Sequence, residues 1–332
     1  MAQELQAVLD AADPWAADLL LSALAAAAAS YRRATCTVPF PSPLFGDGDA
    51  RDYAALLQNL QALPPLGAPG AASRLSAQQL ALVSWLLTHP RRPVAGMRRC
   101  TLRQVQEQLP SLTGWVADIG MNPSLRPTAV LQLAAVPPSV GSSRVLAFHG
   151  TSFENLHSIL HHGLLNASGT RLERTGSAFG KGIYFSSELA VAYAFCQPAD
   201  GWAGSALGRR LRCLLVCSIE REAIQSSHNS DLVPDKYIVV EAMDAVQTHF
   251  LFVYCDDAPP GSPPPPAQHP AHRQQLPLSP AAHVAAAPPR RQAVSPLVWV
   301  LAAFTLLLLA VGLKDNPSLR RFMRRQLGLR IL

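Results

Sequence analysis

Apolar residues recur at helical spacing along the first part of the chain. Some segments are rich in Ala and Leu, which have high helix propensity, and others repeat an apolar residue every three or four positions. Ser76, followed three residues later by Gln79, forms a capping-box pattern at a helix start. The predicted helices cover residues 16–31, 52–63 and 76–89. The pattern predicts a small helical domain over residues 1–94, with no chemistry of its own.

From about residue 95 the pattern changes to short apolar runs of strand-forming residues with helical segments between them. The predicted strands cover residues 129–134, 145–148, 211–219, 237–240 and 249–255. One predicted helix, 155–162, ends at Gly163 as a left-handed C-cap. A second, 187–196, begins at Ser187 as N-cap. This order of strands and helices predicts an α+β domain over residues 95–255.

Beyond this domain the chain is first rich in proline and then strongly apolar. Residues 256–295 have the composition of a disordered linker, extended at about 3.1 Å per residue. Residues 297–313 are seventeen residues without a charge, bracketed by Pro296 and Lys314. A helix needs about 20 apolar residues, and at least about 17, to span a bilayer. The sequence therefore predicts a transmembrane helix over 296–313 and a basic tail over 314–332; a buried core helix fits the sharp boundaries less well.

The N-terminus does not show the basic and then apolar pattern of a signal peptide. Four acidic residues precede the first basic residue, Arg32. The six cysteines include no C-x-x-C pair. Cys213 and Cys217 share one face of a predicted strand and are interpreted as core residues, because no His or Cys partner stands at zinc spacing. We expect no metal, a body made in the cytosol, and a C-terminal anchor inserted after translation.

The net charge of +6 is concentrated at one end of the chain. The tail after residue 313 holds six basic residues and one opposing acid, Asp315, so the rest is close to neutral. A nucleic-acid partner is therefore not expected.

Three short motifs of the α+β region carry residues suited to chemistry. The first, residues 147–151 (AFHGT), places a histidine beside a glycine whose backbone a ligand can approach closely. The second, 180–186 (GKGIYFS), leads from a glycine loop to an aromatic residue on a strand, and the third, 235–240 (DKYIVV), begins a late strand. Each motif alone is common. Their order and spacing together are informative.

Taken together, these motifs resemble the signatures of the poly(ADP-ribose) polymerase family, which has an ADP-ribosyltransferase-type mixed α/β catalytic domain. The resemblance covers about residues 95–255 and includes the segment 155–164 (NLHSILHHGL). The N-terminal helices and the apolar C-terminal run are similar to the tail-anchored mono-ADP-ribosyltransferases of the endoplasmic reticulum within this family. The helical stretches that look shared are residues 30–33, 52–57 and 82–87.

The resemblance implies a pocket for NAD as co-substrate. His149 is expected to donate a hydrogen bond to the adenine-side ribose, and Thr151 to assist there. The Gly150 backbone is expected to pair with the nicotinamide carboxamide, and Tyr184 to stack on the nicotinamide ring. Because nicotinamide is a cationic leaving group, clamping it while the ribose develops positive charge favours the transition state.

Two positions depart from the family's pattern. Phe195 stands where a second stacking tyrosine is usual, and the nearby Tyr193 leaves the register open. Polymerising members have a glutamate before the aromatic residue of the third motif, whereas this chain has Lys236 followed by Tyr237. Tyr237 is implied as the third catalytic residue beside His149 and Tyr184. Neither Lys236 nor Tyr237 is a base at pH 7, with reference pKa values of about 10, so transfer of single ADP-ribose units is expected.

The predicted function is transfer of one ADP-ribose unit from NAD to protein side chains, the enzyme's own included, with release of nicotinamide. The alternative is a catalytically inactive NAD-binding or interaction module on a membrane, favoured by the missing glutamate and by Phe195. A helical adaptor would leave the motifs unexplained. The expected location is the endoplasmic reticulum membrane with the body in the cytosol; the nuclear envelope and the mitochondrial outer membrane are alternatives. The relatives suggest a link to the unfolded protein response.

Overall fold

The secondary structure of the protein is that of a computed structural model, which describes residues 1–67, 70–89, 94–109, 114–133, 143–166, 181–224 and 236–257. The predicted linker, transmembrane helix and tail lie outside these residues, apart from the linker's first two positions. Within the described ranges, no helix is both long and apolar enough to cross a membrane.

Ten α-helices lie before or between the strands in the described ranges. Their bounds are α1 Ala2–Ala11, α2 Pro14–Ala29, α3 Arg33–Cys36, α4 Ser42–Phe45, α5 Tyr53–Gln61, α6 Ala77–Leu87, α7 Leu102–Gln108, α8 Trp115–Met121, α9 Leu156–His162 and α10 Leu189–Tyr193. The predicted capping box is present at α6, where Gln79 N donates to Ser76 Oγ (3.2 Å) and Ser76 N to Gln79 Oε1 (3.0 Å). The helical character predicted for the N-terminal region is confirmed.

The strands form one antiparallel sheet. Their bounds are β1 Arg98–Arg99, β2 Ala129–Gln132, β3 Arg144–Thr151, β4 Ile183–Ser186, β5 Ala199–Asp200, β6 Arg210–Glu220, β7 Tyr237–Val240 and β8 Val246–Cys255. The order across the sheet is β1-β2-β8-β6-β3-β4-β7, and β5 pairs with the edge of β6. This sheet with its flanking helices confirms the α+β class predicted for the second region.

Helix α2 lies inside the molecule and not on its surface. Fourteen of its sixteen residues are buried, because it packs against α5, α6 and α9. Its leucines share one core with residues of the sheet such as Leu215 and Val253. A second core, on the other face of the sheet, includes residues of α7, α8 and α10. The helical region is thus packed directly on the sheet, and the boundary at residue 94 stays a prediction.

A buried carboxylate ties α2 to the segment between β5 and β6. Asp18 accepts hydrogen bonds from Trp202 Nε1 (2.9 Å), from the Ala206 amide and from Ser22 Oγ (3.3 Å). Burial raises the pKa of Asp18, against the lowering effect of these donors. A buried polar group is tolerated when its hydrogen bonds are made in this way.

Both predicted ends of α10 and the predicted C-cap of α9 differ from the structure. Ser187 does not cap α10: its amide still bonds to the Lys236 carbonyl (3.2 Å) in continuation of the sheet, so the helix begins only after Glu188. The helix is also shorter than predicted and ends at Tyr193. Gly163 closes α9 with a positive φ of 79°, but its ψ of −174° lies outside the left-handed helical region.

Candidate active site

A cleft opens in the sheet where β3 and β4 stop pairing. The two strands are matched at one position, Phe148 with Ser186. Beyond that pair their facing edges border a cavity of about 530 Å³. Each of the three motifs contributes residues to this cavity, whereas Gly180 and Asp235 of the motifs lie outside the described residues. The predicted site residues that line it are His149, Gly150, Thr151, Tyr184, Phe195 and Tyr237.

His149 bridges the two separated strands with its side chain. Its Nδ1 lies 2.8 Å from the carbonyl oxygen of Tyr184. Because a carbonyl only accepts, Nδ1 carries the hydrogen and donates it. Burial lowers the pKa of His149 below its usual 6.5, although the Tyr184 carbonyl acts in the opposite direction. The ring is therefore neutral at pH 7 and its Nε2 is an acceptor, so a ribose hydroxyl would donate to it, the reverse of the expected contact.

Gly150 is required by the packing of a helix. A Cβ at this position would lie 1.8 Å from the carbonyl oxygen of Ala192 in α10 and 3.2 Å from Cys196 Sγ. The sequence suggested that this glycine serves the close approach of a ligand. In the structure its missing side chain admits α10, which thereby forms a wall of the cavity.

Phe195 contributes an aromatic ring to the cavity in addition to that of Tyr184. The Phe195 side chain is 46% exposed and lines the cavity. Tyr193 instead packs on Tyr254 in the second core, with ring centroids 4.8 Å apart, and Arg212 lies 6.0 Å from its ring. Of the two registers left open by the sequence, the structure places Phe195 at the cavity.

Tyr184 and Tyr237 lie on the same face of neighbouring strands. Tyr237 pairs with Ser186 across β4 and β7, and Ser186 is two residues from Tyr184, so the alternation of side chains places both tyrosines on one face. Lys236 does not line the cavity, and its Nζ lies 5.7 Å from the Tyr237 ring centroid. Of the described residues that line the cavity, none is a carboxylate.

The helical region, for which the sequence predicted no chemistry of its own, also reaches the cavity. Arg32 and Thr35 line the cavity together with residues of the α+β region. Asn155 connects the two regions: its Nδ2 donates to Thr151 Oγ1 (3.0 Å), and its Oδ1 accepts from Cys36 Sγ (3.4 Å). No sequence motif signalled Arg32 as a site residue, because the contact depends on how α2 and α3 pack against α9.

The dimensions and polar groups of the cavity are those of a small-molecule or cofactor site. Small-molecule and cofactor pockets measure about 300–1,000 Å³ and combine apolar walls with a few polar groups. The acceptor Nε2 of His149, the hydroxyl of Thr151 and two aromatic walls match this description. Among the described residues, no three His, Cys, Asp or Glu side chains are grouped so that they could hold a metal.

Comparison with known proteins gives two matched regions. Residues 8–87 match the family model described as the ARTD15 N-terminal domain, and residues 132–221 match the poly(ADP-ribose) polymerase catalytic domain. The first match contains Arg32, and the second contains His149, Gly150, Thr151, Tyr184 and Phe195. Tyr237 lies beyond both.

Curated relatives are similar over most of the chain. Protein mono-ADP-ribosyltransferase PARP16 of mouse (Mus musculus) is 30% identical over 278 residues, which cover 74% of this chain and 81% of that protein. The human (Homo sapiens) protein of the same name is 29% identical over 276 residues, with coverage of 74% and 81%. Human protein mono-ADP-ribosyltransferase PARP8 is 30% identical over 136 residues, which cover 33% of this chain and 15% of that protein.

Proposed function

Because the chain belongs to the poly(ADP-ribose) polymerase family and is a NAD-dependent protein mono-ADP-ribosyltransferase, we propose that the cavity between β3 and β4 is its NAD site. One observation carries this assignment. Six predicted residues from four separate parts of the sequence, five of them from the three motifs, line the same 530 Å³ cavity. Their meeting has a simple origin, which is the divergence of β3 from β4 after Phe148 and Ser186.

The residues of this site have separate tasks. His149 Nε2 accepts a hydrogen bond from the hydroxyl of the adenine-side ribose, and its orientation is fixed by the Nδ1 bond to Tyr184. Thr151 contributes a hydroxyl on the same side. Gly150 presents its backbone to the carboxamide of nicotinamide, and Tyr184 and Phe195 form the aromatic walls that hold the ring.

NAD supplies the ADP-ribosyl group and leaves nicotinamide as the second product. The described lining of the cavity offers no carboxylate that would take a proton from an incoming hydroxyl. Tyr237 positions the acceptor and excludes water, and the acceptor side chain supplies its own nucleophile. This explains transfer of single units, because a ribose hydroxyl is a poor nucleophile without a base.

We also assign protein side chains, including the enzyme's own, as acceptors. The test is incubation of the full-length chain in detergent with NAD labelled in the adenylate part. We expect a discrete labelled band and nicotinamide release in equal amounts. Tyr184→Ala removes an aromatic wall and should abolish both signals. A high-mass smear sensitive to a poly(ADP-ribose) hydrolase would contradict single-unit transfer, and release of nicotinamide without label on protein would contradict self-modification.

The apolar run 297–313 supports anchoring of this enzyme in a membrane, which we assign as the endoplasmic reticulum. Seventeen residues match a thin bilayer of about 27 Å. The six cysteines are free, and four of them are buried, which is compatible with a reducing compartment. Cytosolic placement of the enzyme body also gives access to NAD and to protein acceptors.

A further inference from the structure

The charge of the proposed NAD site comes from the helical region. Of the described residues that line the cavity, Arg32 alone carries a formal charge at neutral pH, since His149 is neutral. NAD contains a dianionic diphosphate, and burying such a group is costly unless a cation or several donors meet it. Arg32 is therefore the side chain in the described lining that is suited to that part of the ligand.

The hydrogen bonds of Arg32 leave its guanidinium able to bind a ligand. Its Nη1 donates to Glu154 Oε1 at 3.5 Å and to Asn155 Oδ1 at 3.4 Å, both longer than the usual range of about 2.7–3.2 Å. Glu154 has a much shorter contact with Ser30 Oγ, at 2.6 Å. Among the described residues, the Nε and Nη2 groups of Arg32 donate no hydrogen bond.

The contacts of Arg32 relate it to the side of the cavity that the proposed site assigns to the adenosine diphosphate. Its partner Asn155 also donates to Thr151 Oγ1 at 3.0 Å, and the proposed site assigns Thr151 to the adenine-side ribose. The aromatic walls Tyr184 and Phe195 mark the nicotinamide end. A cation near Asn155 therefore stands on the adenosine-diphosphate side of the site.

We propose that Arg32 binds the diphosphate of NAD, so that the N-terminal helical region supplies part of the donor site. The planar fork of a guanidinium matches two phosphate oxygens, which makes such contacts strong and directional. Arg32 makes and breaks no covalent bond and acts as a binding residue. This inference rests on the proposed NAD site, which it extends to the helical region.

The test compares Arg32→Ala with Arg33→Ala in the full-length chain. Arg33 is the matched control, since it follows directly in sequence but stacks on Tyr53, at 4.9 Å from the ring centroid, and does not line the cavity. Calorimetry would measure the binding of three probes: ADP-ribose, which contains the diphosphate, and adenosine and nicotinamide, which do not.

We expect Arg32→Ala to weaken ADP-ribose binding by about ten- to one-hundredfold, or about 1.4–2.8 kcal/mol at about 1.4 kcal/mol per factor of ten. Nicotinamide and adenosine should bind within about twofold of the wild type, as should all three probes with Arg33→Ala. Arg32→Lys should lie between the two, because it keeps the charge and loses the fork.

Other outcomes would show whether the role of Arg32 or the proposed NAD site itself is wrong. Equal weakening of all three probes in Arg32→Ala would mean that Arg32 only supports Glu154 and Asn155, and would overturn the inference. Unchanged ADP-ribose binding would overturn it as well. If the wild-type chain binds neither ADP-ribose nor nicotinamide, the proposed NAD site itself is wrong.

Discussion

Among the side chains of the cavity, His149 has its orientation and its tautomer fixed by one hydrogen bond, from Nδ1 to the Tyr184 carbonyl. Replacing it by Ala removes both the Nε2 acceptor and the Nδ1 bond that connects β3 to Tyr184. Each hydrogen bond contributes about 0.5–1.5 kcal/mol, and a buried partner left unpaired costs more. We expect transfer from NAD to fall by about ten- to one-hundredfold or more, measured as nicotinamide release.

The matched control for this variant is His162→Ala, because His162 lies on α9 outside the lining of this cavity. It should retain activity close to that of the wild type. Circular dichroism would verify that both variants fold. Full activity in folded His149→Ala would refute the role of the imidazole.

Several site residues were predictable from sequence because they sit in short motifs whose spacing is set by single strands. His149, Gly150 and Thr151 are consecutive on β3, and Tyr184 lies within β4. The choice between Tyr193 and Phe195 was not predictable, since Tyr193 ends a short helix and Phe195 follows it, and the rotation of this helix depends on packing against Gly150. Arg32 was missed because its place in the cavity results from contacts between residues more than a hundred positions apart.

At the scale of elements, the close packing of α10 on β3 leads to a prediction for the substitution Gly150→Ala. Gly150→Ala would place a Cβ 1.8 Å from the Ala192 carbonyl oxygen, so α10 must shift and carry Phe195 with it. Overpacking of this kind costs about 1–3 kcal/mol. We expect a lower free energy of unfolding and a higher KM for NAD.

Gly120→Ala is the control for that substitution. Gly120 lies within α8 and would place its new Cβ in open space, where Ala is favoured over Gly by about 1 kcal/mol in a helix interior. Its stability should be unchanged or higher, with an unaltered KM. If Gly150→Ala behaves like Gly120→Ala, the close packing of α10 on β3 is wrong.

The buried histidine His157 on α9 should make the stability of the protein depend on pH. His157 Nε2 donates to the Pro39 carbonyl (2.8 Å), so its buried Nδ1 holds a lone pair and has no hydrogen-bond partner among the described residues. Burial, and then repulsion from His161, lower the pKa of His157 from 6.5 to about 3. Between these values the unfolded chain binds a proton that the folded one does not.

Stability should therefore be complete above pH 6.5 and decrease as the pH falls, by up to about 1.4 kcal/mol per pH unit from this residue. His157→Gln keeps a donor for Pro39 and removes the titration. Thermal unfolding at pH 7 and pH 5 should show a smaller decrease for this variant than for the wild type. An equal decrease in both would assign the acid sensitivity to other groups.

The helix ends show which local signals were sufficient. Capping at Ser76 was correct because the whole signal lies within four residues. The predicted start of α10 was wrong because the Ser187 amide is still bonded to the Lys236 carbonyl. This contact joins distant positions of the sequence and leaves no local signal. Helix α2 begins at Pro14, two residues before the predicted start, with Asp13 accepting from Trp15 N (3.0 Å).

For the whole molecule, the main difference from the sequence-based prediction is how the two regions are joined. The Ala-rich composition of α2 predicted a helix but not its burial on nearly all sides. Small side chains allow close approach of neighbouring elements, so the same composition suits a helix in the middle of a core. The helical region is thereby held against the cavity, and this accounts for the position of Arg32.

The last prediction concerns the C-terminal segment 297–313, which lies outside the described residues. Its flanks are unequal: the tail holds six basic residues, whereas only Arg290 and Arg291 precede the run closely. The positive-inside rule would keep such a tail in the cytosol. We expect the opposite, because that orientation would require the whole folded enzyme, with its free cysteines, to cross the membrane and leave the compartment in which we propose that it acts.

An N-glycosylation acceptor added after Leu332, on a spacer that clears the bilayer, tests this orientation. Modification takes place in the lumen of the endoplasmic reticulum, so we expect the added site to be glycosylated and the N-terminal region to be digested by protease added to intact microsomes. The matched control carries the same acceptor before Met1 and should stay unmodified. A protected N-terminal region with an unmodified C-terminal site would reverse the topology. If the added site is not glycosylated, the N-terminal region is not digested in microsomes and the protein is found in a mitochondrial fraction, the anchor lies in the outer mitochondrial membrane. A short apolar span with basic flanks is compatible with that membrane as well.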